Sequence, residues 1–144
     1  MKGKYTMATK KVYGKNTTDY VVETEVDSFT YTQDFVGRDP NKEDQGTSPT
    51  GLLLTSLSGC YLITARSFFN RKEIQATILE TDISGDFNYH LNDGWLLEAE
   101  VTLKTNAELN GETEDQLNQF IDRYCKVSGV IGNGNNITFK IQNV

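Results

Sequence analysis

Gly46 to Asn70 reads GTSPTGLLLTSLSGCYLITARSFFN, and from Gly46 onward no charge appears until Arg66. Ser48 followed by Pro49 fits an N-cap with proline at the first helical position, where a missing N–H is harmless. The helix is expected to run to about Asn70. Leu53, Leu57, Cys60, Thr64 and Phe68 then fall on one stripe, with Leu54, Tyr61, Ala65 and Phe69 beside it. A helix apolar nearly all round belongs at the centre of a fold. Ser56, Ser58 and Gly59 thin one side of it, which lets another backbone or a ligand come close.

Strands are expected on both sides of this helix. Upstream, VVETEVDSFTYTQDF alternates at period two, with Phe29, Tyr31, Gln33 and Phe35 on one face, and Tyr20, Val22, Thr24 and Val26 form a preceding row. The Val26-Asp27-Ser28-Phe29 junction is short and polar enough to turn a hairpin. A weaker strand is expected near Tyr5 to Tyr13. GRDPNKEDQGTSP, running up to the helix, is a loop by composition and long enough to carry function. Downstream, ATILETDISGDFNYH and WLLEAEVTLKT form a hairpin through Asn92-Asp93-Gly94, with Leu97, Ala99, Val101 and Leu103 inward. A second helix is expected near Thr113, where Thr113-Glu114-Asp115-Gln116 has the form of a capping box, carrying Leu117, Phe120, Ile121, Tyr124 and Cys125 on one face. GNGNN then turns into a last strand with Ile137, Phe139 and Ile141. The order is β-β-β-α-β-β-α-β, an α+β chain expected to form one domain over residues 1–144.

The net charge of −6, with 14 basic residues scattered among 20 acidic ones, argues against a nucleic-acid partner. The uncharged apolar run falls short of the roughly 20 residues that span a bilayer, so no membrane span is expected. MKGKYTMATKKVYGK lacks the apolar region of a secretory signal, which points to the cytoplasm and a reducing environment. Two cysteines in such a chain are either inert buried thiols or a redox pair. Both fall on core-facing helix positions, so a pairing is geometrically allowed. A reactive thiol also needs a cation or hydrogen bonds to favour its thiolate. Arg66 lies about 600° around the helix from Cys60, on another face, which leaves Arg38 on the long loop as the better candidate over Arg71.

GTSPTGLLLTSLSGCYLITARSF resembles the GTNPEELLAAALAACF segment of the OsmC/Ohr family, and RYCKVSGVI resembles its second-cysteine motif CPVSxxL. The spacing of Cys60 and Cys125 and the order of elements agree with that family along most of the chain. The resemblance implies an intertwined homodimer, with antiparallel sheets wrapped around two central helices and a site at the subunit interface. It further implies Cys60 as the nucleophile toward an organic hydroperoxide, Cys125 as the resolving thiol and Arg38 as the activating loop arginine. An apolar substrate pocket would be lined by Thr50, Leu53, Leu57 and Tyr61, and a dithiol partner would restore the thiols; no cofactor is implied. One departure stands out: the family glutamate after the proline is replaced by Thr50. The proline after the second cysteine is likewise replaced, by Lys126. The alternative function is a non-catalytic stress protein of the same fold that holds a hydrophobic small molecule while its cysteines pack.

Other constellations carry less. His90 is the only histidine, so two separated cysteines supply only half of a zinc shell. Asp82, Asp86, Glu98 and Glu100 alternate onto solvent faces. Trp95 is expected to anchor packing at the start of its strand.

Overall fold

The computed structural model describes residues 9–144. It divides into two compact units, Met1–Leu52 and Leu53–Val144.

The first unit holds a three-stranded antiparallel sheet, β1 (Tyr13–Thr18), β2 (Val21–Val26) and β3 (Phe29–Gln33), in that spatial order. Asp27 and Ser28 sit at φ 52° and 66° between paired Val26 and Phe29. Two positive φ values are what a two-residue hairpin needs to follow the right-handed twist of its strands. The β1–β2 pairing shifts register between Asn16 and Thr18. The strand expected over Tyr5–Tyr13 falls partly on residues outside those described; among the described ones β1 starts only at Tyr13. The long loop is tied back onto β3: Asp34 N–H donates to the Thr47 carbonyl at 3.0 Å, and the Asp34 carboxylate accepts from Gln45 N at 2.9 Å. Gly46 passes against the Thr32 carbonyl so closely that a Cβ would collide with it. That loop ends at α1 (Pro49–Lys72), whose first turn is capped as expected, Ser48 Oγ accepting from Gly51 N at 3.0 Å.

Most of α1 belongs to the second unit, with β4 (Leu79–His90), β5 (Gly94–Thr105), α2 (Gly111–Tyr124), α3 (Lys126–Ile131) and β6 (Asn136–Asn143). β4 and β5 form a long antiparallel hairpin whose turn ends at Gly94 with φ 78°. The inward row of β5, Leu97, Ala99, Val101 and Leu103, is buried as its alternation predicts. Val101 and Leu103 of that row pack with Leu57, Tyr61, Ala65, Phe68 and Phe69 of α1 and Leu117 and Ile121 of α2 in one core. Each fully buried large side chain there contributes about 1.5–3 kcal/mol of hydrophobic stabilisation.

Several expectations are corrected. The sheets are not wholly antiparallel: β6 runs parallel to β5, pairing Ala99 with Ile137 and Val101 with Phe139. A parallel return requires a long crossover, which α2 and an unexpected α3 supply. α2 starts two residues early, because Asn110, not Thr113, is the cap; its Oδ1 accepts from Thr113 N at 2.8 Å. α1 is not buried all round, since Ile63 is 72% exposed. By length and composition alone it is apolar enough to cross a bilayer, which does not make it a membrane span. Leu57, Ala65 and Phe69 of the same helix nonetheless pack inside protein. Trp95 anchors no core: it is 69% exposed and meets Tyr89 edge-on with ring centroids 5.5 Å apart.

Candidate redox site

α1 turns Cys60 toward the core of the second unit, where it is half-buried. Cys125 reaches the same place by another route. It lies on no helix, being the extended residue (φ −77°, ψ 96°) between α2 and α3, and its side chain is only 2% exposed. The apolar repeat of α2 ends on Cys125 whether or not the helix continues, so the inward direction is legible from sequence while the joint is not. Cys60 packs against the core cluster that contains Cys125, close enough for each thiol to influence the other's proton.

Burial pushes the Cys125 thiol up, and the neighbouring Cys60 adds to this; the hydroxyl and backbone N–H of Ser128 act in the opposite direction. Ser128, which the sequence reading did not single out, stands three residues on, in the first turn of α3. Its Oγ is 3.1 Å from the Cys125 carbonyl oxygen. Its signal was present in RYCKVSGVI, where an i, i+3 step returns the chain to the cysteine. Tyr61 follows Cys60 and is 3% exposed. Its ring stacks on Phe139 at 5.1 Å and 8°. Burial drives its phenol to about 12, opposed by a hydrogen bond with Ser128. Leu57 is wholly buried one turn before Cys60.

The remaining candidates lie on the long loop, in the first turns of α1 and toward its end. Arg38 is in the first unit, where its guanidinium pairs with the Asp19 carboxylate and lies 4.3 Å over the Tyr20 ring. It lines a polar pocket of about 500 Å³ with Asp19, Lys42 and Asp44. Beside this is an apolar groove of about 630 Å³ formed by Tyr20, Val22, Phe35, Val36 and Pro49. Thr50 is in the first turn of α1, its Oγ1 3.2 Å from Ser48 Oγ. Leu53, one turn ahead of Leu57, is exposed. Arg66 donates to the Ala76 carbonyl at 3.2 Å, and Arg71 lies over Phe120 at 5.3 Å. Among the described residues no three of His, Cys, Asp and Glu gather in a group that could hold a metal ion.

Two three-stranded sheets and three helices define an α+β protein. The family model for OsmC-like protein matches residues 42–140. The chain belongs to the OsmC-like protein family. Solved structures agree in fold: the OsmC-like protein from Mycoplasma pneumoniae superposes with a TM-score of 0.83 at 17% identity, over 96% of this chain and 99% of that one. An organic hydroperoxide resistance protein from Elizabethkingia anophelis gives 0.77 at 14%, and one from Legionella pneumophila 0.73 at 16%, each over 96% of this chain and 99% of its own. No curated protein is a significant match in sequence.

Proposed function

We propose that the protein is a thiol-dependent organic hydroperoxide reductase serving oxidative-stress defence. The observation that carries this reading is the packing of half-buried Cys60 against the core cluster that holds buried Cys125. The Cys60 thiolate attacks the distal peroxide oxygen, the O–O bond breaks, and the alcohol leaves after taking a proton, giving a sulfenic acid on Cys60. Cys125 then attacks that sulfur, water is released, and a disulfide forms. A dithiol partner returns two electrons and two protons. Because Cys125 holds its proton and is the more deeply buried, Cys60 takes the role of peroxide nucleophile. Family membership and the hydroperoxide-resistance relatives support a stress-related role of this kind.

Arg38 serves in this reading as the activating cation. With Thr50 where the family motif carries glutamate, the carboxylate that Arg38 contacts is Asp19. Thr50, Leu53, Leu57 and Tyr61 would border the hydroperoxide site, Leu57 and Tyr61 as its packed floor. The exposed apolar residues Ile63 and Phe29 favour a homodimer that covers them. The two units act as one domain, supported by relatives that match along 96% of the chain. The location proposed is the cytoplasm, where reducing partners keep thiols available.

Titration of thiols before and after one equivalent of cumene hydroperoxide tests this. Two thiols per chain should vanish within seconds, and the single thiol left in Cys60→Ser should persist; wild-type thiols that persist for hours sink the reading. A second reading, a binder of hydrophobic small molecules, draws on the apolar groove at Tyr20 and Phe35. Persistent thiols together with saturable binding of a fluorescent fatty acid would favour it.

A further inference from the structure

Cys125 stands between two helices, and each side of its backbone is bound to a different one. Its N–H donates to the Ile121 carbonyl of α2 at 2.9 Å, and its carbonyl accepts from Gly129 N–H of α3 at 3.0 Å. The direction of its side chain is therefore set by the angle at which α3 leaves α2. α2 is fastened to the core by Leu117 and Ile121, both buried. α3 has no such hold: it is six residues long with none buried, and only Val127 and Ile131 pack against the core. A helix this short does not stand by its own propensity.

The end of α3 is fastened by a side chain from beyond it. Asn135 Nδ2 donates to the Ile131 carbonyl at 2.5 Å, while Asn135 Oδ1 accepts from Leu97 N–H at 2.7 Å. Ile131 is the last residue of α3 and Leu97 an inward residue of β5, 4% exposed, so one amide links helix to sheet. The β5–β6 ladder begins only at the next pair, Glu98 with Asn136. An amide suits this place because it offers a donor and an acceptor together.

We propose that Asn135 is a positioning residue for disulfide formation: by binding the end of α3 to β5 it fixes the joint between α2 and α3 and holds the Cys125 sulfur within bonding reach of Cys60. This rests on Cys125 being the resolving thiol of the proposed reaction. A disulfide closes only where the two Cα atoms lie within about 7 Å and the Cβ vectors converge. A joint free to swing lowers the effective concentration of one thiol toward the other. Cys60 needs no such hold, since it lies in the middle of the 24-residue α1.

The test uses one equivalent of dithiobis(nitrobenzoate) and no peroxide. The Cys60 thiolate attacks the reagent disulfide, releasing one nitrothiobenzoate and leaving a mixed disulfide. Cys125 gives its proton to solvent and attacks the Cys60 sulfur; the second nitrothiobenzoate leaves, and two electrons have passed from protein to reagent. In Asn135→Ala the first phase should keep its rate while the second slows about tenfold or more. The glutathione equilibrium of the pair should move by the same factor, about 30 mV toward easier reduction for tenfold. Asn135→Asp keeps the acceptor for Leu97 but loses the donor to Ile131, and should slow the second phase as well. Asn143→Ala removes a similar bond, to the Ala107 carbonyl at 2.8 Å, away from α3. It should leave both phases at wild-type rate, which separates placement of the thiol from general stability. A second phase of wild-type rate in Asn135→Ala or Asn135→Asp overturns the proposal, as does an unchanged potential, an equal slowing of both phases, or the same slowing in Asn143→Ala. Release of a single nitrothiobenzoate by the wild-type protein overturns it too. If cumene hydroperoxide leaves the thiols intact while the second phase depends on Asn135, the peroxidase reading fails and the role of Asn135 stands.

Discussion

The two sheets share one sequence pattern and differ in what they bury. Along β5 the inward row from Leu97 to Leu103 is buried, Val101 and Leu103 of it in one core with α1 and α2. Along β3 the same alternation leaves Phe29 64% exposed, with Tyr31 open as well. Period-two alternation therefore marks which residues share a face and says nothing about whether anything covers that face. Stability should concentrate in the second unit, and the first should hold its shape through turns and loop contacts.

Substitutions ranked by expected effect sharpen or break this contrast. Phe69→Ala empties a fully buried site and should cost about 3–5 kcal/mol in urea unfolding; a loss under about 1 kcal/mol would deny that the core sits there. Raising the pH comes next. Tyr61 holds its proton more tightly folded than unfolded, with its phenol moved from 10.0 to about 12. The stability this contributes is whole below about pH 10 and disappears toward pH 12, about 2–3 kcal/mol in all. Cys125, also shifted upward, begins the decline sooner, from the ordinary thiol range near pH 8.5. Tyr61→Phe should flatten the upper part of the curve, measured by denaturant midpoint against pH.

In the first unit, Gly46→Ala forces a Cβ onto the Thr32 carbonyl and should cost about 1–3 kcal/mol; a neutral result would mean that the loop is not fastened there. Asp19→Asn removes the partner of Arg38 at a partly exposed site. It should cost no more than about 1 kcal/mol, with a larger effect on peroxide turnover than on stability. Smallest of all, Phe29→Ala should lie within about 0.5 kcal/mol in dilute solution. A loss that grows with protein concentration would instead identify a second copy as the missing cover.

The sequence made α1, the β2–β3 hairpin and the β4–β5 hairpin legible because each has a local cause: a serine cap before proline, a polar two-residue turn, a glycine able to take positive φ. The direction of β6 had no such cause, since Ile137, Phe139 and Ile141 alternate identically in parallel and antiparallel pairing. Trp95 was misjudged because aromatic size argues for burial and position in a hairpin does not reveal what lies beyond its end. At the site, both cysteines could be named from their faces and family-like surroundings. The break between α2 and α3 on which Cys125 sits could not, because the apolar repeat runs on through it.

The parallel pairing of β5 with β6 also sets an order of events. Leu97 and Asn135, whose side-chain oxygen receives the Leu97 N–H, are separated by 38 positions along the chain, whereas the β4–β5 hairpin can zip from its own turn. Distant pairing waits on closure of the intervening segment and is slow. During synthesis the hairpin and α1 are available before α2, so the two sulfurs meet only when the crossover has docked. A chain made only as far as β5 carries one thiol, and the second arrives with the end of α2.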